Sequence, residues 1–277
     1  MYKIIEKKVL NPNVKLMVVE APYVAKKAEP GQFIILRVNE YGERMPLTIA
    51  DYDREKGTVT IIFQEVGSTT KMLGELEEGD AILDFVGPLG VASHFTDIKK
   101  VAVVGGGLGT AIAYPQAKKL FNMGAEVDAI TGFRSSEFIL LEEEMKKVST
   151  RLFVTTDDGS NGNKGFVTDT LKKLIEEGNK YDLVIAIGPL IMMKFVSKLT
   201  EEYNIPTVVS MNPVMIDGTG MCGGCRVTVG GEVKFACVDG PDFDGHLVDF
   251  DEAMRRQTMY KDEEKDHKCR LGGNVNG

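Results

Sequence analysis

The chain has three histidines and four cysteines in 277 residues, and what is scarce excludes several chemistries. His94, His246 and His267 are too scattered to announce a triad or a histidine metal site. No serine or cysteine stands in a pattern that pairs a nucleophile with a base. Four cysteines in a chain of this length are not a disulfide framework, and close spacing among them points to metal or redox chemistry. No apolar run approaches the roughly 18 residues that span a bilayer. The opening MYKIIEKKVL is too short and too charged for a secretory signal, so a cytoplasmic protein is expected. A net charge of −8 with no compensating basic block argues against nucleic acid or an anionic membrane as partner.

What is present reads as an ordinary globular chain, 43% hydrophobic and 27% charged, long enough for two domains and an appendage. Residues 1–97 carry short β-segments, KLMVVEAP, QFIILRVNEYGE, GTVTIIFQEVG and DAILDFVGPLG, rich in β-branched residues and bounded by turn residues. They predict a small antiparallel barrel, with helical pattern confined to a turn near TTKMLGEL. Residues 98–211 alternate strand, glycine turn and helix, from KKVAVVGGG and TAIAYPQAKKLFNMG through SEFILLEEEMKKV to IPTVVSM, which predicts a parallel sheet with helices on both faces. Residues 212–250 are dense in Gly, Cys and Asp and predict a small metal-organised module. Residues 251–277 form a charged tail, expected to be a fraying helix or an arm for a partner.

The glycine stretch VVGGGLGTA, with Gly105, Gly106, Gly107, Gly109 and Thr110, follows a buried strand and opens a helix, the setting in which backbone amides meet a pyrophosphate. A second glycine turn, Gly188-Pro189, follows LVIAI and is expected beside the first at the carboxyl edge of the sheet. In the barrel half, Arg44 and Thr48 end one β-segment, and Gly67, Ser68, Thr69 and Thr70 precede a helical turn; together they offer what a diphosphate needs. Asp157 and Asp158 suit either a turn or a polar site.

The cysteines lie in MIDGTGMCGGCRVTVGGEVKFAC. Two residues separate Cys222 from Cys225, and Cys237 follows after eleven more. The plant-type iron–sulfur pattern C-x4-C-x2-C places its first ligand at Asp217. Two readings stand: a [2Fe–2S] cluster on Asp217, Cys222, Cys225 and Cys237, or a structural zinc on the three cysteines and Cys269.

In its order of barrel, glycine-rich nucleotide domain and cluster loop, the chain resembles the ferredoxin reductase-like family, which includes the electron-transfer subunit of dihydroorotate dehydrogenase. The stretches RMPLTIAD, GPLG, GGGLGTAIAYPQA, GFRSSE, TTDDGSNGNKGFVTD and IGPLIMM look most like the small subunit of the NADH-dependent ferredoxin:NADP oxidoreductases, also known as a sulfide dehydrogenase subunit. That branch has aspartate as first cluster ligand where the dihydroorotate branch has cysteine.

The resemblance implies FAD on the barrel, at Arg44, Pro46, Leu47, Thr48, Ile62 and Gly67 to Thr70. It implies NAD(H) at the two glycine turns with Arg134 and Asp157, a [2Fe–2S] cluster in the C-terminal module, and no catalytic side chain. It also implies a larger partner subunit with a second flavin, [4Fe–4S] clusters and an NADP(H) site, served by ferredoxin. Two departures accompany it: Met45 stands where the wider superfamily has arginine, and Ile187 where it has the cysteine of Cys-Gly-Pro. Arg134 and Ser135 suit a 2′-phosphate and Glu137 rejects one; the resemblance favours NADH. The rival readings are an electron-transfer subunit serving dihydroorotate or sulfide chemistry, and a zinc-stapled nucleotide-binding regulator.

Overall fold

The computed structural model describes residues 1–259. The first part contains β1 (Tyr2–Asn11), β2 (Val14–Glu20), α1 (Pro22–Lys27), β3 (Phe33–Arg37), β4 (Met45–Asp53), β5 (Thr58–Gln64), α2 (Ser68–Glu75), β6 (Ala81–Ile82) and β7 (Asp84–Leu89). All pairings are antiparallel, in the order β6-β1-β2-β5-β4-β3-β7. β6 and β7 are consecutive in the chain, and the Leu83 amide between them donates to the Val38 carbonyl at 3.1 Å. One extended segment therefore caps both edges of the sheet and closes it into a barrel, which leaves few edge groups unpaired. Ile4, Met17, Ile34, Ile49, Ile61 and Phe63 fill its interior with no solvent exposure.

Two elements differ from the sequence reading. β1 was not among the predicted strands because register shifts at Ile4/Glu6 and Val9/Asn11 break the two-residue alternation. α1 starts at the last residue of KLMVVEAP and runs on through YVAKK; it is short, opens with Pro22 at its first turn, and buries Val24 and Ala25.

The second part contains β8 (Lys100–Gly106), α3 (Gly109–Asn122), β9 (Glu126–Phe133), α4 (Glu142–Lys147), β10 (Arg151–Thr156), α5 (Val167–Glu176), β11 (Leu183–Ile187), α6 (Leu190–Glu202) and β12 (Thr207–Ser210). Strands β10-β9-β8-β11-β12 are parallel, so the order reverses between β8 and β11. That reversal opens a crevice at the carboxyl ends of these strands. The helix expected over SEFILLEEEMKKV is split into a 3₁₀ turn at Ser136–Phe138 and α4, with Leu141 at φ +55° between them. Leu140 and Leu141 are buried under the sheet, and an extended segment reaches that position where a continuous helix would not.

The remainder contains β13 (Arg226–Val229), β14 (Glu232–Phe235), β15 (Asp242–Asp244) and α7 (Phe250–Arg256). β13 and β14 form a hairpin, while β15 joins the large sheet antiparallel to β12. Cys225, Ala236 and Cys237 share one apolar core with Val184 and Ala186 of the sheet and with Phe33 and Ile35 of the barrel. Among the described residues no helix is long and apolar enough to cross a membrane. Residues 260–277, with His267 and Cys269, lie outside the described part, and so does the greater part of the expected tail.

Candidate functional site

At the carboxyl edge, a cavity of about 570 Å³ is lined by Gly106, Gly107, Phe133, Arg134, Asp157 and Pro189, with an apolar wall that includes Phe166 and Phe195. The glycines have separate duties. Gly107 has φ +54° and open space where a Cβ would go, so its backbone is free for a ligand to approach. A Cβ on Gly109 would stand 2.2 Å from the Ile187 carbonyl, which makes this glycine the contact that seats α3 against β11. The two glycine turns meet: a Cβ on Gly188 would lie 3.1 Å from the Gly106 Cα. Gly105 and Thr110 are outside the cavity lining and pack on each other, a Cβ on Gly105 standing 2.9 Å from the Thr110 Cα; Thr110 is fully buried with its hydroxyl Oγ1 unpartnered among the described residues.

The aspartate pair is divided. Asp158 Oδ1 accepts from the amide and hydroxyl of Ser160, at 2.9 and 2.7 Å, and makes the turn. Asp157, anchored by its amide to the Phe133 carbonyl at 2.9 Å, faces the cavity with Arg134. The Ser135 hydroxyl donates to Glu137 at 3.3 Å.

On the barrel, β4 packs against α3, and Lys118 Nζ spans the two with contacts to Asp51 at 2.8 and 2.7 Å. Pro46, Leu47 and Thr48 are half-buried on β4; Ile62 on β5 is 7% exposed and shares a core with Ala111 and Ala113 of α3. The Thr70 hydroxyl accepts from the amides of Val66 and Gly67, both at 3.0 Å. The amides of Ser68, Thr69 and Thr70 have no acceptor among the described residues, and the first turn of α2 contains no acid. Free amides at a helix start can receive an anion such as a diphosphate. Arg44 is exposed and donates through Nε to the Ile216 carbonyl at 3.3 Å, so it touches the cluster loop as well as flanking the barrel face.

In that loop Asp217 Oδ1 accepts from the Thr219 hydroxyl, and Oδ2 from the amides of Met221 and Cys222 at 3.2 and 3.3 Å. These bonds, Thr219 foremost, hold its pKa at about 2 and keep it ionised. Cys225 Sγ and Cys237 Sγ are buried 3.2 Å apart, while Cys222 is exposed, its sulfur 3.5 Å from the Gly224 amide. Burial first, and then the neighbouring Cys225 thiol, pushes Cys237 up to about 11, a balance that a bound cation reverses by stabilising the thiolate. The Asp217 carboxylate thus lies against the backbone amide of Cys222, and the Cys225 and Cys237 sulfurs lie together. Among the described residues no three metal-binding side chains converge on one point.

Residues 212–249 match the iron–sulfur cluster binding domain of dihydroorotate dehydrogenase B, and 103–198 the oxidoreductase NAD-binding domain. The chain is 48% identical to the dihydroorotate dehydrogenase B (NAD(+)) electron transfer subunit homolog of Thermotoga maritima, over 89% of this chain and 87% of that one. It belongs to the family of dihydroorotate dehydrogenase B electron-transfer subunits and their homologues. This family membership makes it an oxidoreductase with FAD, NAD(H) and a [2Fe–2S] cluster as cofactors. Within the family it is 60% identical to an uncharacterised protein in the adh 3′ region of Clostridium beijerinckii, over 95% of this chain and 92% of the relative. A chain of the NADH-dependent reduced ferredoxin–NADP oxidoreductase, solved for insight into flavin-based electron bifurcation, superposes with a TM-score of 0.92 at 45% identity, covering 98% of each chain. A cytochrome P450 reductase of Amycolatopsis, at 19% identity and a TM-score of 0.60 over 73% of this chain and 65% of its own, shares the fold.

Sequence reasoning did not single out Phe166 and Phe195 as cavity walls. The GFV and KFV settings in which they stand are those of ordinary core residues, and the signal appears only once they prove 62% and 53% exposed.

Proposed function

We propose that this chain is the NAD(H)-binding subunit of an electron-bifurcating NADH-dependent ferredoxin:NADP oxidoreductase. The observation that carries the reading is Asp217, an ionised carboxylate five residues before Cys222, at the position where the dihydroorotate branch has cysteine. The full-length likeness to the bifurcating oxidoreductase supports it.

FAD, when bound, supplies the exchange between the electron pair of a nicotinamide and the single electrons of a cluster. The chain's own residues bind and orient. Gly105 to Gly109 with Thr110, and Gly188-Pro189, form the floor for the dinucleotide, with Arg134 and Asp157 at its rim and the phenylalanine wall excluding water. The amides of Ser68 to Thr70 receive the flavin diphosphate, with Arg44 beside them, and Pro46, Leu47, Thr48 and Ile62 shape the barrel face. Asp217, Cys222, Cys225 and Cys237 hold the cluster; the carboxylate gives it one hard oxygen ligand. Electrons reaching a cluster on this chain need an exit, which implies a partner; by resemblance it is a larger subunit with a second flavin, [4Fe–4S] clusters and an NADP(H) site, supplied by ferredoxin.

The test is purification from the native source with whatever larger subunit accompanies it, then assay for NADP reduction. The expected result is NADPH formation that requires NADH and reduced ferredoxin together, with NADH preferred over NADPH at this chain's own site. A second reading is favoured by the names of its relatives: an electron-transfer subunit that delivers electrons from dihydroorotate to NAD. Copurification with a dihydroorotate-oxidising subunit, and no ferredoxin dependence, would replace the first reading with this one.

A further inference from the structure

Three consecutive residues, Gly240, Pro241 and Asp242, touch three parts of the fold. The Gly240 carbonyl accepts from the Val91 amide at 2.7 Å, and the Pro241 carbonyl from the Met211 amide at 2.8 Å. Asp242 Oδ2 accepts from Ser93 Oγ at 2.6 Å and from Gln116 Nε2 at 3.1 Å. Val91 and Ser93 follow the last barrel strand, Met211 follows β12, and Gln116 lies within α3, the helix that the glycine loop opens. The chain leaving Cys237 is therefore moored to the barrel and to the nucleotide helix at one point. Gly31, at φ +85°, leaves room for it: a Cβ there would stand 2.1 Å from Ser93 Oγ and 3.1 Å from Asp242 Oδ2.

The carboxyl at this junction has no cation. Its Oδ1 is sealed from solvent and has no hydrogen-bond partner among the described residues, and the same holds for Gln116 Oε1. Ser93, Gln116 and Ser210 surround it, all neutral; burial outweighs their donors and pushes the Asp242 pKa up. The charged groups packed around the junction are engaged elsewhere. Lys119 binds Glu29 at 3.2 Å and the Ser93 carbonyl at 3.4 Å, Arg54 binds Glu29 at 2.7 Å, and Lys118 binds Asp51. On β15 itself Asp244 accepts from the His246 amide at 3.0 Å. An ionised carboxylate with one oxygen unpaired and dry is far costlier than a neutral acid in the same place.

We propose that Asp242 is carried as a neutral, protonated acid and acts as a positioning residue, tying the cluster-bearing segment to the barrel and to α3. The sign of its pH effect follows. The native chain keeps a proton that the unfolded chain releases above about 3.9, so stability falls as pH rises from there to the native pKa and is level above it. Asp242→Asn keeps the shape of the neutral acid, with an acceptor oxygen and a donor on the other atom, and removes that slope.

The test uses the chain loaded with its flavin and cluster. In thermal unfolding across neutral pH, the wild-type unfolding constant should rise relative to Asp242→Asn by up to about tenfold per pH unit. Infrared difference spectra of the two proteins at neutral pH should show a protonated-carboxyl C=O band present only in the wild type. Equal pH slopes, an absent band, or failure of Asp242→Asn to fold would each overturn the proposal, because an ionised carboxylate, unlike a neutral acid, has no substitute in asparagine. A third arm rests on the flavin-to-cluster reading: cluster reduction by NADH should decline at alkaline pH in the wild type and not in Asp242→Asn, with KM for NADH unchanged. If no NADH-driven cluster reduction occurs at all, that reading fails, while the infrared and unfolding arms still decide the state of Asp242.

Discussion

Arg44 donates through Nε to the carbonyl of Ile216 at 3.3 Å, so the barrel residue expected at the flavin diphosphate also holds the backbone just ahead of Asp217. Removing a charge-assisted contact to phosphate costs about 1.5 kcal/mol or more, roughly a tenfold loss of affinity. Arg44→Ala is expected to weaken FAD binding by about that factor in a fluorescence titration, with Arg44→Lys intermediate. Unchanged affinity would leave Arg44 to the cluster loop alone.

Two glycines two positions apart, Gly107 and Gly109, separate binding from folding. Gly107→Ala places a Cβ in open space at φ +54°, costing about 1 kcal/mol of backbone strain and obstructing the approach of a dinucleotide. KM for NADH is expected to rise about tenfold in a protein that still folds. Gly109→Ala meets the Ile187 carbonyl at 2.2 Å; it should lower the melting temperature sharply. Thermal scans beside steady-state kinetics check both, and reversed phenotypes would reject the division of duties.

Asp217→Cys is expected to keep two irons per chain, since thiolate is the usual ligand at that position. The harder oxygen is replaced by sulfur, so the midpoint potential should change. Redox titration followed by low-temperature EPR reads the result; identical potentials and spectra would show that Asp217 is not a ligand.

At the opposite, amino edge of the sheet, Asp128 is fully buried and accepts from Arg151 Nε and Nη2 at 2.7 and 2.6 Å and from the Tyr181 hydroxyl at 2.7 Å. Burial alone would raise its pKa, but Arg151 and Tyr181 prevail and hold it below the usual carboxylate value. The linked stability is present above about pH 4 and is lost as pH falls through the depressed native value. Asp128→Ala is expected to cost about 2–3 kcal/mol in urea unfolding at neutral pH. The figure sits below that for a fully buried pair because Arg151 keeps 40% of its side chain in water. KM for NADH should not move, as this network lies away from the cavity; a large change in KM would contradict a purely structural role.

Much of the candidate site was legible because its signals are local. The spacing of Asp217, Cys222 and Cys225 fits within a single loop, and VVGGGLGTA carries strand, turn and helix start in nine letters. Asp157 and Asp158 show the limit of such reading: adjacent and chemically identical, one makes a turn and the other faces the cavity, a distinction set by the Ser160 and Phe133 contacts.

The sequence by itself determined the alternation that builds a parallel sheet, the glycine turn at its carboxyl edge and the ligand spacing of the cluster loop, since these follow from periodicity and local backbone freedom. Tertiary structure alone decided the closure of the barrel by the segment carrying β6 and β7, the entry of β15 into the large sheet, and the meetings of Asp242 with Ser93 and of Asp128 with Arg151. The partners in the Asp242–Ser93 contact are 149 positions apart. Composition cannot announce such a contact, because an aspartate is ordinarily a solvated charge and becomes a buried tie only when packing removes the water around it.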